Sequence, residues 1–191
     1  MSTLERAIVI AAEGHAGMTD KAGAPYILHP LRVMLAMTSR NNQIVGVLHD
    51  VVEDCRGWTL DKIRDEGFSA EVVEALDSVT KREGEDYCSF VRRAAANPIG
   101  RRVKMADLKD NSDLTRIREP QQRDLHRIEK YHGAINIIEQ MDEVGTINIA
   151  RRVKKSARHA REAMSSATQT TNPLPTSTAG QPRTRRCKPR R

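Results

Sequence analysis

Apolar residues recur at three- and four-residue spacing along most of the chain, the period of helices with one buried face. Leu4, Ala7, Ile8 and Ala11 form such a stripe behind Ser2 or Thr3 as cap, in a helix ending near His15 and Ala16. A loop from Met18 to Leu28 follows. Pro30 suits the first turn of a second helix, carrying Leu31, Val33, Met34, Leu35 and Met37, with His29 at its boundary. A third helix is expected from about Gln43 to Asp54. Arg56-Gly57-Trp58 is a loop, with Trp58 against a helix end. Thr59 and Ser69 cap helices over Leu60–Glu66 and Ala70–Thr80, the latter with Val72, Val73, Leu76 and Val79 inward. Two more helices run over Tyr87–Ala96 and Ile99–Asn111. A long one starts at Pro120 and reaches about Met141, with Leu125, Ile128, Tyr131, Ile135 and Ile138 at core spacing. No strand-like alternation interrupts this pattern, so the expected fold is all-α.

Charge divides the chain. Residues 1–150 hold 20 Lys+Arg against 24 Asp+Glu, a balance of −4, while residues 151–191 hold 12 against one, a balance of +11. The expected organisation is a folded domain over 1–145, a basic helix over 146–164, and a disordered basic tail over 165–191 built from Ser, Thr, Pro, Gln and Arg. Such a tail is either simply solvated or makes weak contact with nucleic acid. No apolar run approaches the roughly 20 residues of a membrane span, and the N-terminus is not patterned as a signal peptide. Cys55, Cys88 and Cys187 lack C-x-x-C spacing, which argues against a disulfide framework and for a reducing, cytoplasmic setting. Aromatics make up only 3% of the chain, so the core must be built from aliphatic residues and Met.

The third helix carries the chemistry. Ile44, Val45, Val47 and Leu48 lead into His49-Asp50, and Glu53-Asp54 follows one turn later. In a continuous helix His49 would lie over Glu53 and Asp50 over Asp54. Carboxylates crowded in this way repel one another unless a cation lies between them. His29, at a helix start, and Asp107, in the apolar-flanked run Val103 to Leu108, are the other candidate ligands. Two imidazoles and two carboxylates suit manganese, iron, or zinc with an open position better than a closed thiolate site. His126 and His132 lie among charged residues and are expected at the surface.

The series His29, His49-Asp50, Asp107 resembles the H…HD…D signature of HD-superfamily phosphohydrolases. Gly23-Ala24-Pro25-Tyr26-Ile27-Leu28-His29-Pro30, the Glu53-Asp54 pair and Ala106-Asp107-Leu108-Lys109-Asp110-Asn111 narrow this. Together they resemble the hydrolase domain of RelA/SpoT-type enzymes, and especially the small stand-alone alarmone hydrolases. The resemblance implies an HD-type helical bundle with a metal site between helices. It implies His29, His49, Asp50 and Asp107 as ligands of manganese, with another divalent transition ion as the alternative. Glu53 and Asp54 would be the catalytic acidic pair that handles the attacking water. Lys21 and Asn111 would contact the guanosine nucleotide, although as isolated residues they read equally as a loop lysine and a helix cap. The implied reaction is hydrolysis of the 3′-pyrophosphate of ppGpp or pppGpp to GDP or GTP plus pyrophosphate, a step of the stringent response.

The chain departs from the family at two positions. Asp20 stands where the family often has Arg, and Asp113 stands where another Arg is common. Each lost charge-assisted contact to a polyphosphate is worth about 1.5–3 kcal/mol. The alternatives are therefore an HD-class phosphohydrolase for another nucleotide, and a module that binds nucleotide or nucleic acid without catalysis.

Overall fold

In the computed structural model of the chain, the structure describes residues 1–142 together with Lys154 and Ser156. The helices begin where the caps predict. Thr3, Ser69 and Asp86 each accept a backbone N–H in the first turn of α1 (Leu4–Gly14), α6 (Ala70–Val79) and α7 (Tyr87–Ala96). Ser39 and Thr59 do the same for α3 (Arg40–Leu48) and α5 (Leu60–Asp65). Asn97 caps α8 (Pro98–Asn111), whose first residue is a proline that has no N–H to satisfy. Helix α2 (Leu28–Leu35) starts without a side-chain cap, and a short α4 (Val51–Asp54) and a 3-10 turn (Leu114–Arg116) complete the series before α9 over 122–142. Among the described residues the only β pairing is an isolated bridge between Thr19 and Pro25. The fold is all-α, as expected.

Two apolar clusters hold the helices together. The larger draws Ala7, Ile10 and Ala11 from α1, Val33 from α2, Ile44 to Leu48 from α3, and Val72, Leu76 and Val79 from α6. The smaller joins Val91 and Ala95 of α7, Leu108 of α8, and Ala134 and Ile138 of α9. Helix α8 serves both, because Ile99 and Val103 enter the first cluster and Leu108 the second. Each fully buried aliphatic side chain contributes about 1.5–3 kcal/mol. Small residues set the spacing. A Cβ on Gly46 would lie 3.2 Å from Met34 Cα and 3.3 Å from Met34 N, so α2 and α3 touch backbone to side. A Cβ on Gly100 would lie 2.2 Å from Ser78 Oγ, which fixes α8 against α6.

Two expectations need correction. The helix predicted from Gln43 to Asp54 is broken into α3 and α4, with His49 and Asp50 at the break and Asp50 at φ −96°, ψ −7°. The Gly46 carbonyl, which a continuous helix would offer to the Asp50 amide, accepts the His49 imidazole instead. A ladder bond is thereby exchanged for a side-chain bond, and the bridge region adopted by Asp50 is one that site residues often occupy. Leu125, expected in the core, is 45% exposed. The inward position of that first turn belongs to Asp124, whose Oδ2 accepts the Gln121 N–H and whose Oδ1 accepts from Arg127.

His15 is the C-terminal cap residue of α1, and His126 and His132 are exposed. The expected basic helix over 146–164 and the tail over 165–191 lie outside the described residues, apart from Lys154 and Ser156, which are helical and exposed. Among the described residues no helix is long and apolar enough to cross a membrane.

Candidate metal centre

His29 is the second residue of α2, where backbone turns rather than a cap start the helix: the His29 N–H donates to Tyr26 O at 2.9 Å. Its Nδ1 donates to Asp110 Oδ2 at 2.7 Å, since a carboxylate can only accept. That leaves Nε2 pointing inward, 3.3 Å from Asp107 Oδ1 and 3.6 Å from Asp50 Oδ2. His49 mirrors this arrangement. Its Nδ1 donates to Gly46 O at 2.9 Å, and its Nε2 lies 3.2 Å from Asp50 Oδ2 and 3.7 Å from Asp107 Oδ1. The two rings stand 5.1 Å apart at 67°. The structure thus brings together His29, His49, Asp50 and Asp107 from α2, the α3–α4 break and α8.

The donor set fits a transition metal. Each imidazole has its outer nitrogen pinned by an acceptor, which fixes the tautomer that leaves Nε2 with a free lone pair. His49 Nε2 is buried and has no hydrogen-bond partner. One ligand atom each from His29, His49 and Asp50 fall within 4.8 Å of one another. Burial alone would make His29 harder to protonate. Hydrogen bonds to Asp107 and Asp110 outweigh it and raise the pKa to about 9 in the metal-free protein. For Asp107, burial favours the neutral acid, but Lys104 and the two histidines hold it well below the ordinary carboxylate range.

Neighbouring side chains position the candidate ligands. Lys104 donates to Asp107 Oδ2 at 2.8 Å, and Asn111 donates to its Oδ1, so Asp107 is gripped from one turn before and one turn after. The Tyr26 hydroxyl lies 2.6 Å from Asp50 Oδ2 and 3.3 Å from Asp54 Oδ2, bridging Asp50 to the acidic pair. Glu53 Oε1 accepts the Lys81 N–H at 2.5 Å. Burial, and after it the nearby Asp50 charge, raise the pKa of both Glu53 and Asp54.

A cavity of about 230 Å³ opens beside His29, lined by Lys21, Tyr26, Asn111, Arg116 and Arg127 among others. Lys21 and Asn111, singled out from the sequence, therefore line the same cavity. Lys21 is pushed down in pKa by burial and by Arg127. Asp20 and Asp113 also line this cavity, and both face Arg116, at 3.6 and 3.7 Å. Asp20 shapes its own loop, its Oδ1 accepting from the Ala22 and Ala24 amides at 2.9 Å each.

Three side chains escaped the sequence reading. Asp110 stands three residues after Asp107 and supports His29. Arg116 donates to Asp110 Oδ2 at 3.2 Å. Arg127 comes from α9, whose apolar period and two histidines give no hint of it. Asp110 was detectable as the second acid on the helix that carries Asp107, whereas Arg116 and Arg127 had no local signal.

No family model matches the chain. Among curated proteins it is 32% identical over 134 residues to a probable GTP pyrophosphokinase of Mycobacterium leprae, covering 63% of this chain and 17% of that one. It is 31% identical over 120 residues to a guanosine-3′,5′-bis(diphosphate) 3′-pyrophosphohydrolase of Aquifex aeolicus, covering 56% and 17%. It is 35% identical over 111 residues to a GTP pyrophosphokinase of Streptomyces coelicolor, covering 56% and 12%. The chain thus spans less than a fifth of the length of these relatives. With hydrolases and pyrophosphokinases both among its homologues at 31–35% identity, the chain resembles the RelA/SpoT-type enzymes, in keeping with a hydrolase domain of that class.

Proposed function

We propose that the chain is a metal-dependent phosphohydrolase that removes the 3′-pyrophosphate of ppGpp or pppGpp, with His29, His49, Asp50 and Asp107 holding manganese. The observation that carries this reading is the convergence of two tautomer-fixed Nε2 atoms on Asp50 and Asp107. A bound divalent ion supplies Lewis acidity, lowering the pKa of water and polarising a phosphoryl oxygen. Asp54, steadied by Tyr26, orients the attacking water. Glu53, whose pKa is raised by burial, accepts its proton. Lys21 and Arg127 offset phosphate charge in the adjoining cavity, and Asn111 serves both Asp107 and the nucleotide. The relatives named as 3′-pyrophosphohydrolases support the substrate assignment.

A second reading keeps the centre and changes the nucleotide. It is favoured by Asp20 and Asp113, which bring two carboxylates to the cavity where a polyphosphate would enter. Purified chain with manganese is assayed on a nucleotide panel, scoring pyrophosphate against orthophosphate. Pyrophosphate release from ppGpp that Asp50→Ala abolishes supports the first reading. Cleavage of other nucleotides but not ppGpp supports the second, and no cleavage at all, with no bound metal, overturns both.

A further inference from the structure

A cavity of about 710 Å³ lies apart from the one beside the candidate metal centre. It lies between the end of α2, the start of α3, α8 and α9. One stripe of α8 lines it at helical spacing: Pro98, Arg101 and Arg102, Met105 and Ala106, then Lys109 and Asp110. Met37 and Ile138 close the apolar part. A volume of this size lies in the range of small-molecule sites, about 300–1,000 Å³.

Two features point to a ligand. Asn42 is only 4% exposed and lines this cavity, yet its side-chain amide has no hydrogen-bond partner among the described residues. Its polar atoms are not fully buried, so the amide is available to a ligand that offers both a donor and an acceptor. The cations form the second feature. Arg32 is committed to Asp110, and Arg101 to the Ala95 carbonyl and Asp142. Arg102 and Lys109 are exposed and make no ion pair among the described residues. The rim therefore offers positive charge, the floor offers methionine and alanine surface, and Asn42 offers one directional hydrogen-bonding group.

We propose that this cavity is a second binding site, for a small organic anion that carries a phosphate or carboxylate on a flat apolar body. The body packs on Met37 and Met105, the anionic head meets Arg102 and Lys109, and a polar group on the body pairs with Asn42. The site is separate from the nucleotide cavity, which is lined from the α1–α2 loop and Arg127.

The test titrates the full chain with 1-anilinonaphthalene-8-sulfonate, an aromatic anion that brightens on apolar surface. The expected result is saturable, salt-sensitive binding near one equivalent. It weakens about tenfold in the double variant Arg102→Glu/Lys109→Glu, as loss of a charge-assisted contact implies. It weakens also in Asn42→Leu and stays unchanged in Arg127→Glu. Arg102 and Lys109 are exposed, so the double variant decides the matter even if Asn42→Leu does not fold. Phenyl phosphate and phenylacetate then compete for the site, and the one displacing the dye at lower concentration identifies the preferred head group. Absence of saturable binding, binding indifferent to the double variant, binding lost in Arg127→Glu, or displacement by neither competitor would overturn the proposal.

Discussion

The His29 imidazole and the Asp110 carboxylate form a 2.7 Å hydrogen bond between the start of α2 and the end of α8. Asp110 is itself held by Arg32, whose Nε donates to Oδ1 at 2.6 Å, and by Arg116. This orientation keeps Nε2 of His29 aimed at Asp107 and Asp50. Asp110→Asn can present its amide nitrogen to His29 and so select the wrong tautomer. Outer partners of this kind are worth about 10–100-fold in metal affinity. Manganese affinity measured by calorimetry is expected to fall by that factor, with far-UV circular dichroism unchanged. Undiminished affinity in Asp110→Asn would remove the support assigned to Asp110.

Gly46 controls the same geometry from behind. Its absent Cβ lets the α3 backbone meet Met34 of α2, and the two obstructing atoms, Met34 Cα and N, are backbone atoms that no rotamer change can move. In Gly46→Ala the helices must part by a few tenths of an ångström, and α2 carries His29 while α3 leads to His49. Overpacking of this sort costs about 1–3 kcal/mol, less the helix propensity that alanine regains. Urea denaturation should therefore register a net loss of stability, with weaker manganese binding alongside it. A variant as stable as the parent would mean that the α2–α3 contact has slack.

Most of the fold was legible because amphipathic period and caps are local properties. Thr3, Ser39, Thr59, Ser69 and Asp86 cap helices as their side chains allow, although only some of these caps stood out in advance. The break at His49-Asp50 was not legible, since it depends on an imidazole competing for the Gly46 carbonyl inside a run whose apolar period continues without interruption. The candidate centre was legible in its residue types. Its supporting shell was less so, because Asp110, Arg116 and Arg127 matter only through distances between helices. Asp20 shows the same limit. As a sequence feature it is a missing cation, while in the fold it builds the loop that carries Lys21 and faces Arg116.

Under the proposed function, Glu53 links pH to both stability and activity. Its pKa is raised above the ordinary carboxylate value, by burial first and then by the Asp50 charge, with the Lys81 N–H opposing. A carboxyl raised on folding is penalised when ionised. The penalty is therefore present above the folded pKa and vanishes below the unfolded one. Glu53→Gln mimics the protonated form and can still accept the Lys81 N–H. It is expected to melt at a higher temperature than the parent at pH 7 in EDTA, with the difference closing near pH 4, while manganese-dependent hydrolysis is lost. Activity of the parent should fall on the acid side at a pH above that of an unperturbed Glu, as the base becomes protonated. A variant that melts below the parent at pH 7 would show that Glu53 is a structural group.

Under the proposed function, substitution of Arg127 separates substrate binding from metal binding. It reaches the cavity beside His29 from α9, lowers the pKa of Lys21 through its charge, and is held by Asp124 Oδ1 at 2.8 Å. No ligand atom of the candidate centre touches it. Under the proposed function, with Asp20 and Asp113 standing where RelA/SpoT-type enzymes often have arginine, Arg127 and Lys21 would carry much of the attraction for a polyphosphate. A charge-assisted hydrogen bond of about 1.5–3 kcal/mol corresponds to about 10–150-fold in binding. Arg127→Ala is therefore expected to raise KM for the nucleotide by at least about tenfold, to leave manganese affinity unchanged, and to weaken the salt dependence of kcat/KM. The same kinetics on Arg118→Ala, an exposed arginine outside the lining of this cavity, gauge the general effect of one lost positive charge. Equal effects of the two substitutions would mean that Arg127 acts only through bulk charge and makes no contact with the nucleotide.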